Sequence, residues 1–111
     1  MSRPLITVVE TPLFVKQAEG LWDEEERQAF VNFIASSPEA GDLIPDTGGV
    51  RKIRWTRAGS GKRGGTRIVY FYHDMGHPLY LLMVYAKARQ EDLSPDQKRT
   101  VRMLAAILRA G

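Results

Sequence analysis

Residues 50–87, VRKIRWTRAGSGKRGGTRIVYFYHDMGHPLYLLMVYAK, decide how this chain folds. They hold three β-prone runs, Val50 to Thr56, Thr66 to His73 and Leu79 to Lys87, separated by the glycine-containing links AGSGKRGG and DMGHP. Adjacent strands with short links imply an antiparallel meander. Side chains alternate across a strand, so each run sorts into two faces. In the first, Lys52 and Arg54 share one side while Arg51, Ile53 and Trp55 take the other. The second run places Arg67, Val69, Phe71 and His73 together, opposite Ile68, Tyr70 and Tyr72. Strict alternation in the third gives Leu79, Leu81, Met83, Tyr85 and Lys87 on one side, against Tyr80, Leu82 and Val84. One register of the meander therefore gathers Lys52, Arg54, Arg67, Tyr85 and Lys87, and leaves Ile53 and Trp55 to a core beneath.

Upstream, Leu5 to Val9 is a short β-branched run that predicts a first strand. Phe14 to Gly20 suits a short helix, and Asp23 opens DEEERQAFVNFIASS with Glu26 in capping-box spacing. Phe30, Phe33 and Ile34 then fall on one helical face, giving a helical hairpin whose acidic first turn suits the helix dipole. This hairpin is expected to cover the sheet face opposite the cations. Ser36 to Gly49, rich in Pro, Gly and Asp, reads as a connecting loop. Downstream, Ser94 and Pro95 mark the N-cap and first residue of a last helix. Its expected core stripe is Val101, Leu104, Ala105 and Leu108, widened by Met103 and Ile107. The order β-α-α-β-β-β-α, with like elements grouped, predicts an α+β fold: an N-terminal helical hairpin on a twisted antiparallel sheet, with a C-terminal helix.

With 111 residues, 43% hydrophobic and 26% charged, the chain has the composition of one globular domain, expected to span 1–111. It has no cysteine, which excludes disulfides and thiolate zinc sites and suits a reducing, cytoplasmic setting. MSRPLITVVETPLF lacks the pattern of a signal peptide, and no apolar stretch approaches the roughly 18 residues of a membrane span. The net charge of +3 conceals a segregation. Glu10 to Asp46 holds nine acidic residues against Lys16 and Arg27, a balance of nine minus two, or −7. Thr47 to His73 holds seven basic residues (Arg51, Lys52, Arg54, Arg57, Lys62, Arg63 and Arg67) and no acid. Such a patch attracts phosphate backbones, because each neutralised phosphate releases counterions. Charge alone leaves open a second reading, in which the acidic half pairs with the basic hairpin inside the fold.

Several cations aimed at one point can stabilise the extra negative charge of a pentacoordinate phosphorane, the species through which a 2′-hydroxyl cleaves RNA, without a metal. Arginine stays protonated, whereas a lysine crowded by cations can serve as base, so Lys52 is the first candidate and Lys87 the second. Tyr85 offers a ring on which a splayed base could stack. Other signals carry less. GSGKRG fits G-x-G-x-x-G formally, but precedes a strand instead of a helix and lacks a P-loop Ser or Thr after Lys62. His73, Asp74 and His77 match no familiar ligand spacing, so no metal site and no cofactor are expected. The serines (Ser2, Ser36, Ser37, Ser60 and Ser94) all fall in turns or caps, which argues against a nucleophilic triad.

PEAGDLIPDTGGVRKIRW, the basic link GKRGGTRIVYFY and YLLMVYAKARQEDLSPDQ, in that order, resemble the RelE/ParE superfamily of toxins from toxin–antitoxin systems, and look closest to HigB-type mRNA interferases. The resemblance implies a ribosome-dependent, metal-independent endoribonuclease that cuts mRNA through its 2′-hydroxyl. The family's two cations in the first basic strand fall on Lys52 and Arg54, and its catalytic arginine on Arg67. The cluster of its last strand falls on Lys87 or, by a different register, Arg89. Arg57, Lys62 and Arg63 at the hairpin tip would grip ribosomal RNA. The tyrosine that some members carry near the C-terminus is missing beyond Tyr85, so stacking would pass to Tyr85 or another group. Implied partners are the ribosome with its mRNA and a cognate antitoxin of helix-turn-helix type, with no membrane. A ParE-like, gyrase-poisoning toxin without nuclease activity is the alternative that the superfamily leaves open.

Overall fold

The computed structural model describes residues 6–56 and 65–110. Five strands form one sheet in the order β1-β5-β4-β3-β2, comprising β1 (Val8–Glu10), β2 (Asp42–Leu43), β3 (Val50–Trp55), β4 (Thr66–Phe71) and β5 (Leu79–Ala86). The three predicted central strands form the expected antiparallel meander, with Val50 to Trp55 running against Phe71 to Thr66. Both edges differ from expectation. β1 adds to β5 in parallel, with Val8 opposite Leu79, and ends at Glu10; Leu5, the expected first residue of that strand, lies outside the described residues. β2 emerges from the segment read as loop and pairs Asp42 with Lys52. The chain reverses between β2 and β3 through Gly48 (φ 76°) and Gly49 (φ 110°), where a side chain would be strained. Thr47 closes that turn from within: its Oγ1 donates to Ile44 O at 2.6 Å and accepts from Val50 N at 3.2 Å.

The helices follow their caps. Helix α1 (Pro12–Glu19) starts where the Thr11 hydroxyl accepts from Phe14 N and Pro12 occupies the first turn. Helix α2 (Glu24–Ser36) starts at Asp23, whose carboxylate accepts from Glu26 N at 2.7 Å. Helix α3 (Pro95–Ala110) has a reciprocal cap: Ser94 Oγ accepts from Gln97 N while Gln97 Oε1 accepts from Ser94 N. As expected, α1 and α2 cover one sheet face. Phe14, Ala18, Trp22, Phe30 and Ile34 pack there on Ile68, Tyr70, Leu79, Leu81 and Val84, with Ile53 and Trp55 against them. Helix α3 covers part of the other face, with Val101 and Ala105 on Val50, Val69, Phe71, Leu82, Met83 and Tyr85.

That second core corrects the alternation in β5. Val69 pairs with Met83 but Tyr70 pairs with Leu81, so Leu82 is an extra residue that the register skips. Met83 and Tyr85 therefore share a face with Tyr80 and Leu82, and Val84 joins Leu79 and Leu81 under the helical hairpin. The α3 stripe is also narrower than expected. Val101 and Ala105 are buried and Leu108 partly so, while Met103, Leu104 and Ile107 face solvent.

Candidate functional site

The rows of paired residues across β3, β4 and β5 show why a charged cleft opens where it does. Val50, Phe71 and Tyr80 form one row and Lys52, Val69 and Met83 the next. Arg54, Arg67 and Tyr85 form a third. The apolar members of these rows carry α3. Beyond them lies a cleft of about 390 Å³ lined by Asp42, Lys52, Arg54, Arg67, Lys87, Glu91 and Asp92. Strand pairing alone sets Arg54 opposite Arg67, a like-charge pair that costs stability unless an anion joins it. The β4 arginine is held rigidly, since Arg67 is 7% exposed, whereas Arg54 is open to solvent. Lys87 enters just past the end of β5, where its N–H donates to Gly65 O at 3.2 Å.

Of the sequence-predicted residues, Lys52, Arg54, Arg67 and Lys87 thus line one cleft. Arg89 does not. It is exposed beside a separate groove formed with Gln17, Gly20 and Leu21, so the alternative between Lys87 and Arg89 falls to Lys87 as the cation in the cleft. Tyr85 lies in the correct row but is 6% exposed, with its ring in the α3 core. A base cannot stack on a ring that is already covered, and the stacking expected of it has no surface here. Burial pushes its hydroxyl above the usual tyrosine value, with Asp92 adding to the rise and Arg67 opposing it. Arg57, Lys62 and Arg63 lie outside the described residues. Arg51 turns to the other face, as alternation predicted, and donates to Gly41 O at 2.7 Å.

Three residues in the cleft escaped the sequence reading, and all are acidic. Asp92 Oδ1 accepts from Lys52 Nζ at 3.0 Å, and Glu91 lies 4.0 Å from Lys87. Asp42 reaches the cleft because β2 pairs it with Lys52. The Lys52 hydrogen bond, helped by the Leu93 N–H, holds the Asp92 carboxyl below the usual range. Among the described residues the cleft is therefore a mixed-charge site of four cations and three carboxylates, not the single-sign patch that the run from Thr47 to His73 suggested. Glu24 binds Arg27, which also binds Glu10 through Nη1 at 2.5 Å. No spacing rule links Lys52 to an acid forty positions on, and the only local hint is the ED pair just before the Ser94–Pro95 cap.

The chain is thus a small α+β protein with a helical hairpin on one sheet face, a C-terminal helix on the other and a mixed-charge cleft beside that helix. A family model described as the RelE toxin of the RelE/RelB toxin–antitoxin system matches residues 14–110, and the chain belongs to that family. Its fold is similar to that of the E. coli toxin RelE, solved as a double arginine-to-alanine mutant in the free state. The TM-score is 0.57 at 18% identity, over 79% of this chain and 90% of that one. No helix among the described residues is long and apolar enough to cross a membrane.

Proposed function

We propose that this toxin is a ribosome-dependent, metal-independent mRNA endoribonuclease that inhibits translation from the cytoplasm, of the HigB-like kind. The observation that supports it most is the convergence of Lys52, Arg54, Arg67 and Lys87 from three strands on one cleft beside the end of α3's cover. Arg54 and Arg67 face each other and would hold the scissile phosphate between them, stabilising the added charge of the phosphorane. Lys52 would take the proton of the attacking 2′-hydroxyl, and Lys87 would give one to the departing 5′-oxygen. The products are a 2′,3′-cyclic phosphate and a free 5′-hydroxyl. Asp92 Oδ1 accepts from Lys52 Nζ at 3.0 Å, so Lys52 would reach the 2′-hydroxyl once Asp92 releases it. Arg57, Lys62 and Arg63 would hold ribosomal RNA, and a helix-turn-helix antitoxin would silence the toxin by blocking or distorting the cationic face.

Primer extension on a reporter mRNA in a reconstituted translation mix tests this reading. Wild type is expected to give 5′-truncated products within the reading frame, and Arg67→Ala to bind ribosomes nearly as well while cutting nothing. Lys52→Ala is expected to lose most cleavage. Replacing a tip residue should weaken ribosome binding and reduce its salt slope by roughly 0.7–0.9 per lost phosphate contact. If induced cells keep intact mRNA and mount a DNA-damage response instead, the protein is a gyrase poison and the nuclease assignment fails.

A further inference from the structure

At the other end of the sheet, roughly 20 Å from Arg67 along β4 at about 3.3 Å per residue, the β4–β5 turn carries both histidines of the chain. The turn folds them onto one aspartate. His77 Nδ1 lies 2.6 Å from Asp74 Oδ1, and His73 Nε2 lies 3.6 Å from Asp74 Oδ2. The two imidazole rings are 5.2 Å apart, and one donor atom from each of the three residues lies within 4.8 Å of the others. All three side chains are exposed, so an ion can reach them. Two contacts also restrain them from outside the cluster. Asp74 Oδ1 accepts from Gly76 N at 2.9 Å, and the His73 ring stacks at 6° on Phe71, itself part of the α3 core.

We propose that His73, Asp74 and His77 bind a divalent transition-metal ion, zinc above all, with the remaining coordination positions open to water. Two imidazoles and one carboxylate are the donors that zinc accepts at about 2.0–2.2 Å, and they are a poor set for magnesium or calcium, which take oxygen ligands. Ligands of one tetrahedral zinc ion lie roughly 3.3 Å apart, so the widest pair must close by about 1.5 Å, a shift that exposed side chains make by rotation. The ion would take the place of the His77–Asp74 hydrogen bond and pin the turn between β4 and β5. This site does not depend on the nuclease reading, and the RNA cleft has no part in it.

The chain has no cysteine and no third histidine, which makes the test clean. Full-length, tag-free protein stripped with chelator would be titrated with zinc chloride by calorimetry, with circular dichroism checking the fold of each variant. One saturable ion per chain at micromolar concentration is expected. His73→Ala and His77→Ala should each weaken binding by about 10–100-fold. Arg54→Ala should bind as wild type does, and magnesium chloride should neither bind nor compete. Zinc should raise the melting temperature of wild type and leave that of His77→Ala unchanged. Absence of saturable binding, wild-type affinity in both histidine variants, or equal competition by magnesium would overturn the site.

Discussion

The two faces of the sheet are made by the same three strands, yet one closes completely and the other stops halfway. Under α1 and α2, Ile68, Tyr70, Leu79 and Leu81 are fully buried, and the rings of Phe14, Trp22, Phe30 and Trp55 meet edge-on or tilted at centroid distances from 5.2 to 6.1 Å. On the opposite face α3 covers the rows of Phe71 and Met83, then leaves the row of Arg54 and Arg67 beside an open cleft. The first face trades polar groups for stability. The second keeps like charges opposed across β3 and β4, an arrangement that apolar packing alone would not select. Stability and function are thus divided between faces of one sheet, and substitutions should divide in the same way.

The largest effect on stability is expected in the closed face. Phe30→Ala should cost about 3–5 kcal/mol in urea unfolding, because the ring is fully buried between Trp22 and Trp55. Arg54→Ala, on the open face, should change stability by no more than about 0.5 kcal/mol while removing cleavage, and an equal loss of stability would erase the contrast. Next comes Tyr70, whose hydroxyl donates to Pro38 O at 2.9 Å and accepts from Gly41 N at 2.8 Å. Tyr70→Phe should cost about 1–3 kcal/mol by orphaning both backbone groups. Because those bonds tether the segment that leads into β2, hydrogen exchange at Asp42 and Leu43 should also quicken.

Smaller effects belong to the open face. Asp92→Asn should increase RNA affinity and cleavage, since it releases Lys52 without removing a cation. A fall in cleavage would instead assign the proton-accepting role to Asp92. The Asp92 carboxyl is depressed below its ordinary 3.8, so its stabilising contribution is complete above that pH and is lost as pH falls below it. With Asp92 72% exposed, solvent screening limits the contribution to a few tenths of a kcal/mol, seen as a slightly flatter acid limb for Asp92→Asn. The smallest change is expected at Ile107, 61% exposed on the outer side of α3. Ile107→Glu should leave the melting temperature almost unmoved, which would separate it sharply from Ala105→Glu on the buried side of the same helix.

Most of the fold was legible because it is written in local periodicity and caps. The period of two in β3 and β4 placed Ile53, Ile68 and Tyr70 in one core and Lys52, Arg54 and Arg67 on the other side. Asp23 and Ser94 begin their helices as side-chain acceptors of backbone N–H groups, as read from the sequence, whereas Thr11 caps a first helix that starts at Pro12, before the Phe14 expected. What periodicity could not show was its own interruption. The skipped residue Leu82 changes the face on which Met83 and Tyr85 emerge, and a bulge leaves no mark in a run as evenly apolar as LYLLMVYA. The α3 stripe was overread for a related reason: six apolar positions fit a helix, but α3 meets only one side of the sheet and buries a narrow seam.

By itself the sequence determined the three helices and the three central strands, the alternation of β3 and β4, and that cations at positions 52, 54 and 67 emerge on one side, because each of these follows from neighbours a few residues apart. Only the tertiary structure decided that Asp92 returns to Lys52, that Lys87 and not Arg89 lines the cleft, that Tyr85 is covered, and that His73 and His77 close on Asp74. Those outcomes depend on where a bulge, a turn and the end of a helix fall in space, and distances between residues far apart in the chain are set by packing.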